Sequence, residues 1–376
     1  MQIIPIASGK GGVGKSLVSA NLAISLGKLG KSVVLADLDL GASNLHLVLG
    51  QQAPKAGMGT YLSGNTDFES IILPTDYDNV LFIPGDSEIP GLTAIKLSQK
   101  NDVIKKLQAL KTDFLILDLG AGTHTSILDF FLLSPQGIIV TAPTVTATLN
   151  GYLFLKNAVF RLMYNSFKKS SKAYKFLESL KADSQSLQKL YIPKLIESIA
   201  SIDPESADVF SRRMKQFRPR LIMNMIDDPK DADKAQKIRR SCSEYLGLDL
   251  EHLGVMYRDS LQDIALASRL PISVYKPQAM LSQALFRIAD KIAASETLVF
   301  DGTAGADSFQ NAENEAAEDF ENKMSYVEEL IGTGALTMNE LAETIKSQQY
   351  EITQLRKENL LLKSKILKAH AQGYTL

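Results

Sequence analysis

The first sixteen residues constrain this 376-residue chain more than any others. Ile3-Ile4-Pro5-Ile6-Ala7 is a short apolar run, and Ser8-Gly9-Lys10-Gly11-Gly12-Val13-Gly14-Lys15-Ser16 follows it at once. From Ser16 to Leu29 the apolar spacing is helical. A strand feeding a glycine loop that opens a helix belongs in a sheet whose ligands sit beyond the strand ends. The glycines let backbone N–H groups turn inward around phosphate oxygens, where a Cβ would clash or force the wrong φ. The helix N-terminus adds a favourable field. In the G-x-x-x-x-G-K-S spacing, Lys15 reaches the β- and γ-phosphates and the Ser16 hydroxyl ligates Mg²⁺.

The same alternation continues for about 300 residues. Ile3 to Ala7, Ser32 to Asp37, Val80 to Ile83, Phe114 to Asp118, Gly137 to Ala142, Leu221 to Met225 and His252 to Met256 read as buried strands. Helical patterns lie between them at Ser16 to Leu29, Gln99 to Leu110, Ser126 to Leu133, Asp231 to Tyr245 and Ser282 to Ala294. Strands that are apolar throughout, separated by amphipathic helices, predict an α/β fold: a mostly parallel, doubly wound sheet covered on both faces. One segment breaks the rhythm. Residues 150–218 read as a helical insertion, and residues 151–245 hold nineteen Lys or Arg against eleven Asp or Glu.

Composition changes after Ser295. Residues 296–351 carry thirteen acidic residues and two lysines, so 296–335 is expected to be an acidic, solvated linker after a domain at 1–295. The tail, 336–376, regains period. Met338, Leu341, Ile345, Gln348, Ile352, Leu355, Asn359, Leu362, Ile366 and Ala369 follow a 3, 4 spacing, which predicts a coiled-coil helix with a polar, register-setting Asn359 in its seam. A single cysteine, Cys242, rules out an intrachain disulfide framework and a cysteine-based metal site. The net charge of −1 advertises neither nucleic acid nor membrane for the molecule as a whole. No leader pattern and no apolar run near ~20 residues is visible, so a cytoplasmic protein, with a peripheral place at membrane or cell pole left open, is expected.

Lys10 stands out. A second lysine early in the loop points away from its own phosphates, and becomes useful if it reaches across a dimer to neutralise charge developing in phosphoryl transfer. Lys10-Gly11-Gly12-Val13-Gly14-Lys15-Ser16 resembles the deviant Walker motif of the MinD/ParA ATPases. Val33 to Leu45, containing Asp37 and Asp39, is similar to that family's switch I, and Leu115 to Gly122, containing Asp118, to its Walker B strand and switch II. Leu221-Ile222-Met223-Asn224 and Leu253 to Asp259 resemble its later strands, with details nearest the MinD-like branch of the flagellar regulators FlhG and FleN. The resemblance implies ATP and Mg²⁺ as cofactors and slow, partner-stimulated hydrolysis. It implies nucleotide contacts from Gly9 through Leu17, with Lys10 and Lys15 in catalysis. Asp39 would position the attacking water. Ser16, Asp118 and Asp37 would hold the Mg²⁺ shell, Gly122 would sense the γ-phosphate, and Asn224 would read the adenine edge.

Three departures bear on affinity and rate: Leu17 where the family has Thr, Ala121 where it often has Pro, and Tyr257 where a Pro is common near the base. The implied role is an ATP-dependent homodimerising switch, triggered by an activating protein, that positions or counts a structure such as flagella. The alternative is a ParA-like partition ATPase on nonspecific DNA, carried by Lys168, Lys169, Lys172, Lys175, Arg212, Arg213, Arg218 and Arg220. A membrane surface is the other candidate matrix, through the lysine-flanked apolar run Leu360 to Lys368.

Overall fold

The computed structural model describes residues 1–39, 43–85, 96–182, 191–295, 304–332 and 338–371. It forms two compact units, 1–318 and 319–376. The first is built on an eight-stranded sheet of β1 (Gln2–Ser8), β2 (Val33–Leu38), β3 (Leu73–Pro74), β4 (Val80–Ile83), β5 (Phe114–Ala121), β6 (Ile138–Thr141), β7 (Arg220–Ile226) and β8 (Glu251–Tyr257). Their order is β3-β4-β2-β5-β1-β6-β7-β8. Every pairing is parallel except the two-residue β3 against β4. The seven parallel strands are those the apolar runs predict; β3 is too short to leave a periodic signal.

The sheet is buried on both faces, as its unbroken apolar strands require. Helix α1 (Lys15–Lys28) follows the glycine loop and buries Val18, Leu22, Ile24 and Leu26. It packs with the helix Met280–Ser295, whose Leu281, Leu285, Ile288 and Ile292 join the same core.

The described residues of the insertion between β6 and β7 form the helices Val145–Ser166, Lys172–Ala182, Ile192–Ile202 and Pro204–Gln216. Asp203 caps the last of these, its Oδ1 accepting from Ser206 N at 3.2 Å, with Pro204 in the first turn. The first helix leaves the carboxyl end of β6 and runs back along the sheet for about 33 Å at 1.5 Å per residue. It therefore delivers the exposed Lys168, Lys169, Lys172 and Lys175 to the end of the sheet opposite the glycine loop. There Arg218 N donates to Pro135 O at 2.8 Å, closing the insertion onto the start of β7.

The acidic segment departs from its expected form as a solvated linker. Ala304–Gly332 is helical, and within the first unit it buries Phe309, Ala312 and Ala316. Their 3, 4 spacing is helical, but two of the three are alanines, which carry little weight beside many carboxylates. In the second unit Met338–Ala371 is one helix, and Ile345, Ile352, Leu355, Leu362 and Ile366 of the heptad seam are exposed.

Candidate functional site

The phosphate loop is held by close approaches that exclude side chains. A Cβ on Gly9 would lie 2.0 Å from the Asn150 carbonyl oxygen, and one on Gly14 would lie 2.2 Å from Asn224 Nδ2. Gly12 and Gly14 also take φ of +79° and +85°, which L side chains rarely adopt. Gly14 is the N-cap of α1, so the helix begins with free N–H groups directed at the loop interior.

Behind the loop lies a buried charge cluster. Lys15 Nζ is 2.8 Å from Asp118 Oδ1, and Ser19 Oγ donates to the same oxygen at 2.8 Å. Lys15 Nζ also lies 3.3 Å from Ser16 Oγ. Asp37 and Asp118 are register partners on adjacent strands, at the carboxyl ends of β2 and β5. Asp37 Oδ2 accepts from Ser43 Oγ at 2.7 Å, and Oδ1 accepts from Asp39 N at 3.0 Å. Burial, then the neighbouring Asp118 carboxylate, pushes Asp37 up to about 7, against the pull of Ser43, the Asp39 N–H and Lys15.

Two buried carboxylates beside a serine hydroxyl form a hard oxygen donor set that suits Mg²⁺. Among the described residues no three acidic, histidine or cysteine side chains cluster as a metal cage. Mg²⁺ commonly takes one or two protein ligands and completes its shell with phosphate and water. A cation here would also favour the ionised form of Asp37.

Asp39 is partly buried, and its carboxylate lies against Gly120 of β5, where an added Cβ would come within 3.2 Å of Oδ1. It therefore faces the switch II strand end. Gly122, at φ +95°, donates its N–H to Ser8 O at 3.2 Å and draws switch II against β1. Lys10 is exposed, and its ammonium donates to Thr146 Oγ1 at 3.2 Å, outside the Lys15–Asp118 cluster. Leu17 packs against the core, so the position where a family Thr would offer a hydroxyl is apolar.

Asn224 stands at the carboxyl end of β7. Its Nδ2 donates to Val13 O at 2.8 Å, and its Oδ1 accepts from Met225 N at 2.8 Å. Met225 has φ +60°, an uncommon value for a long side chain. Here the amide braces the phosphate loop, and its second N–H is the one that remains for a ligand. Sequence reasoning missed Ser19, Ser43 and Thr146. Ser19 had a signal, since it lies four residues from Lys15 on the same helix face. Ser43 and Thr146 had none, because their partners are reached only through the fold.

The geometry joins a strand–loop–helix phosphate cradle to two switch strands carrying aspartates. A family model for the CobQ/CobB/MinD/ParA nucleotide binding domain matches residues 4–356. The chain belongs to this family. It is a MinD/ParA-type P-loop protein on an α/β sheet. The antiactivator FleN of Pseudomonas aeruginosa is 29% identical over 158 residues, covering 42% of this chain and 56% of FleN. The flagellum site-determining protein YlxH of Helicobacter pylori is 34% identical over 157 residues, covering 41% and 53%. The chain thus spans about half the length of these curated relatives. The septum site-determining protein MinD of Pyrococcus horikoshii, complexed with Mg-ADP, shares the fold with a TM-score of 0.55 at 23% identity, over 79% of this chain and 97% of that one. Among the described residues no helix is long and apolar enough to cross a membrane.

Proposed function

We propose that this MinD/ParA-family protein is an ATP-dependent dimerising switch of the FlhG and FleN kind. It binds Mg-ATP through Gly9 to Leu17, closes face to face with a second copy, and hydrolyses ATP slowly until an activating protein triggers release. The observation that carries the reading is the placement of Lys10. It stands at the surface, apart from the cluster that serves the chain's own phosphates, and among the described residues its bond is to a neutral hydroxyl at 3.2 Å. Beside it the helix Val145–Ser166 exposes Val145 (82%) and Leu149 (54%), an apolar rim suited to burial against another molecule.

In this reading Lys15 and Ser16 hold phosphate and Mg²⁺, Asp118 and Asp37 support the metal shell, and Asp39 orients the attacking water. Asn224 keeps the adenine side in place, and Gly122 senses the γ-phosphate. The job is spatial or numerical control of a cellular structure such as flagella, which the likeness to FleN and YlxH supports. The experiment is ATP binding and turnover by purified protein with Mg²⁺. Binding and slow turnover by wild type, with no binding by Lys15→Ala, is expected; a wild type that does not bind ATP overturns the reading.

A second reading rests on the exposed lysines at 168, 169, 172 and 175, which lie at the sheet end away from the nucleotide edge and would stay accessible in a face-to-face dimer. It makes the chain a ParA-like ATPase on nonspecific DNA. A gel shift that needs ATP and weakens steeply with salt favours it.

A further inference from the structure

We infer that residues 304–318 are a strap that sets the nucleoside side of the nucleotide site, and that Tyr257 is the positioning residue through which the strap acts. The inference rests on the nucleotide-binding reading above. β8 is an edge strand, and its outward backbone groups need partners. His252 N donates to Ser308 Oγ at 2.9 Å, and Leu253 O accepts from Lys291 Nζ at 2.8 Å, while Lys291 also meets Glu315 Oε1 at 2.6 Å. At the strand's start Phe309 packs edge-on against His252, with ring centroids 5.0 Å apart. At the strand's end the Tyr257 hydroxyl donates to Ala316 O at 2.7 Å. From His252 to Tyr257 the strand rises about 16 Å, and from Ser308 to Ala316 the helix rises about 12 Å. The strap therefore runs alongside β8, and the long Tyr257 side chain spans the difference.

The end it grips is the nucleotide edge. The acidic switch strands β2 and β5 lie on one side of the phosphate loop, so Mg²⁺ and the γ-phosphate belong there. The nucleoside must then leave the loop on the other side, towards β6, β7 and β8. Asn224 of β7 already touches the loop at Val13 O. Tyr257 is the register partner of Ile226, two residues further along β7, and Arg258 N donates to Ile226 O at 3.0 Å. The phenol is almost fully buried, and its hydroxyl is tied to the Ala316 carbonyl. A shift of the strap moves the end of β8, and with it the wall beside β7.

The test uses the full chain with Mg²⁺ and a fluorescent ATP analogue, displaced by ATP and separately by inorganic tripolyphosphate. Tyr257→Phe removes the hydrogen bond and keeps the ring. It is expected to weaken ATP by about three- to tenfold while leaving tripolyphosphate within about twofold. Ser308→Ala, which removes the bond at the far end of β8, is expected to leave both ligands unchanged. Ala316→Val crowds the helix against its neighbours and pushes the strap carbonyl away while leaving every residue of β8 unchanged, and is expected to reproduce the ATP-only loss. Unchanged ATP affinity in Tyr257→Phe and Ala316→Val overturns the inference, and so does parallel loss of both ligands or an equal effect of Ser308→Ala. Wild type that binds neither ligand overturns the nucleotide reading beneath it, a different result.

Discussion

The ammonium of Lys15 lies 2.8 Å from a carboxylate oxygen of Asp118, with both side chains buried. In the proposed switch Lys15 is the residue that meets the β- and γ-phosphates, and Asp118 is one that supports Mg²⁺. Each would then occupy the other until Mg-ATP arrives. Binding would exchange one ion pair for two, ammonium with phosphate and carboxylate with metal shell. The aspartates are kept from facing each other uncompensated in the meantime.

Lys15→Ala is accordingly expected to do two things. It abolishes ATP binding, read by titration with a fluorescent analogue. It also leaves Asp118 and Asp37 buried without their cation, which costs about 3–5 kcal/mol in the nucleotide-free protein. Adding Asp118→Asn to Lys15→Ala is expected to recover much of that stability without restoring binding. Thermal melts of the single and double variants without nucleotide check this, and equal melting temperatures for both would count against it.

Lys10→Ala is expected to leave ATP affinity within about threefold of wild type, because among the described residues Lys10 bonds to Thr146 and not to the Lys15 cluster. Steady-state turnover is expected to fall by 10³-fold or more, the order seen for cationic groups acting in trans on phosphoryl transfer. Mixing Lys10→Ala with a hydrolysis-dead Asp39→Ala partner checks the geometry. One composite site then has an intact Asp39 and receives Lys10 from the other subunit, so partial activity should return. No recovery would count against a role across the dimer.

His252 supplies a pH prediction. Its ring is fully buried, and desolvation, with a smaller push from Lys291, lowers its pKa from 6.5 to about 3. Among the described residues neither ring nitrogen has a hydrogen-bond partner. The unfolded chain binds a proton near 6.5 that the folded chain refuses. The contribution to stability is therefore fully present above that value and lost as pH falls from 6.5 towards 3. Between pH 7.5 and 5 this amounts to about 2 kcal/mol. His252→Phe keeps a ring against Phe309 and cannot protonate. Denaturant melts at the two pH values should show the stability difference shifting towards the variant by that amount. Asp37 and the other titrating groups are common to both proteins and cancel in the difference.

The sheet and the phosphate loop were legible because their signals are local. An apolar run reads as a buried strand wherever its neighbours lie, and Gly9 to Ser16 carry their chemistry in their spacing. The strap was not legible for the opposite reason. Ala312 and Ala316 matter because they are small enough to let a helix lie close to β8, a property that appears only once β8 is an edge. The same holds for Asn224. Its place at a strand end followed from the sequence, but its hold on Val13 O depends on the approach of β7 to a loop some 210 residues earlier. Lys10 falls between: its oddity was local, while its distance from the Lys15 cluster needed the fold.

The tail carries the last prediction. Ile345, Ile352, Leu355, Leu362 and Ile366 stay exposed on the helix Met338–Ala371, a heptad stripe that a second copy of the helix would cover. A paired tail would hold two ATPase domains at an effective concentration of order mM, far above their bulk level. Turnover per subunit should then change little on dilution through the micromolar range. Removing residues 336–376 should make it fall steeply, because closure becomes bimolecular. Asn359→Ile removes the polar seam residue. It should raise the melting temperature of the tail while relaxing its preference for two strands, measured by sedimentation. If the truncated protein keeps the dilution profile of the full chain, the tail pairs with something other than itself.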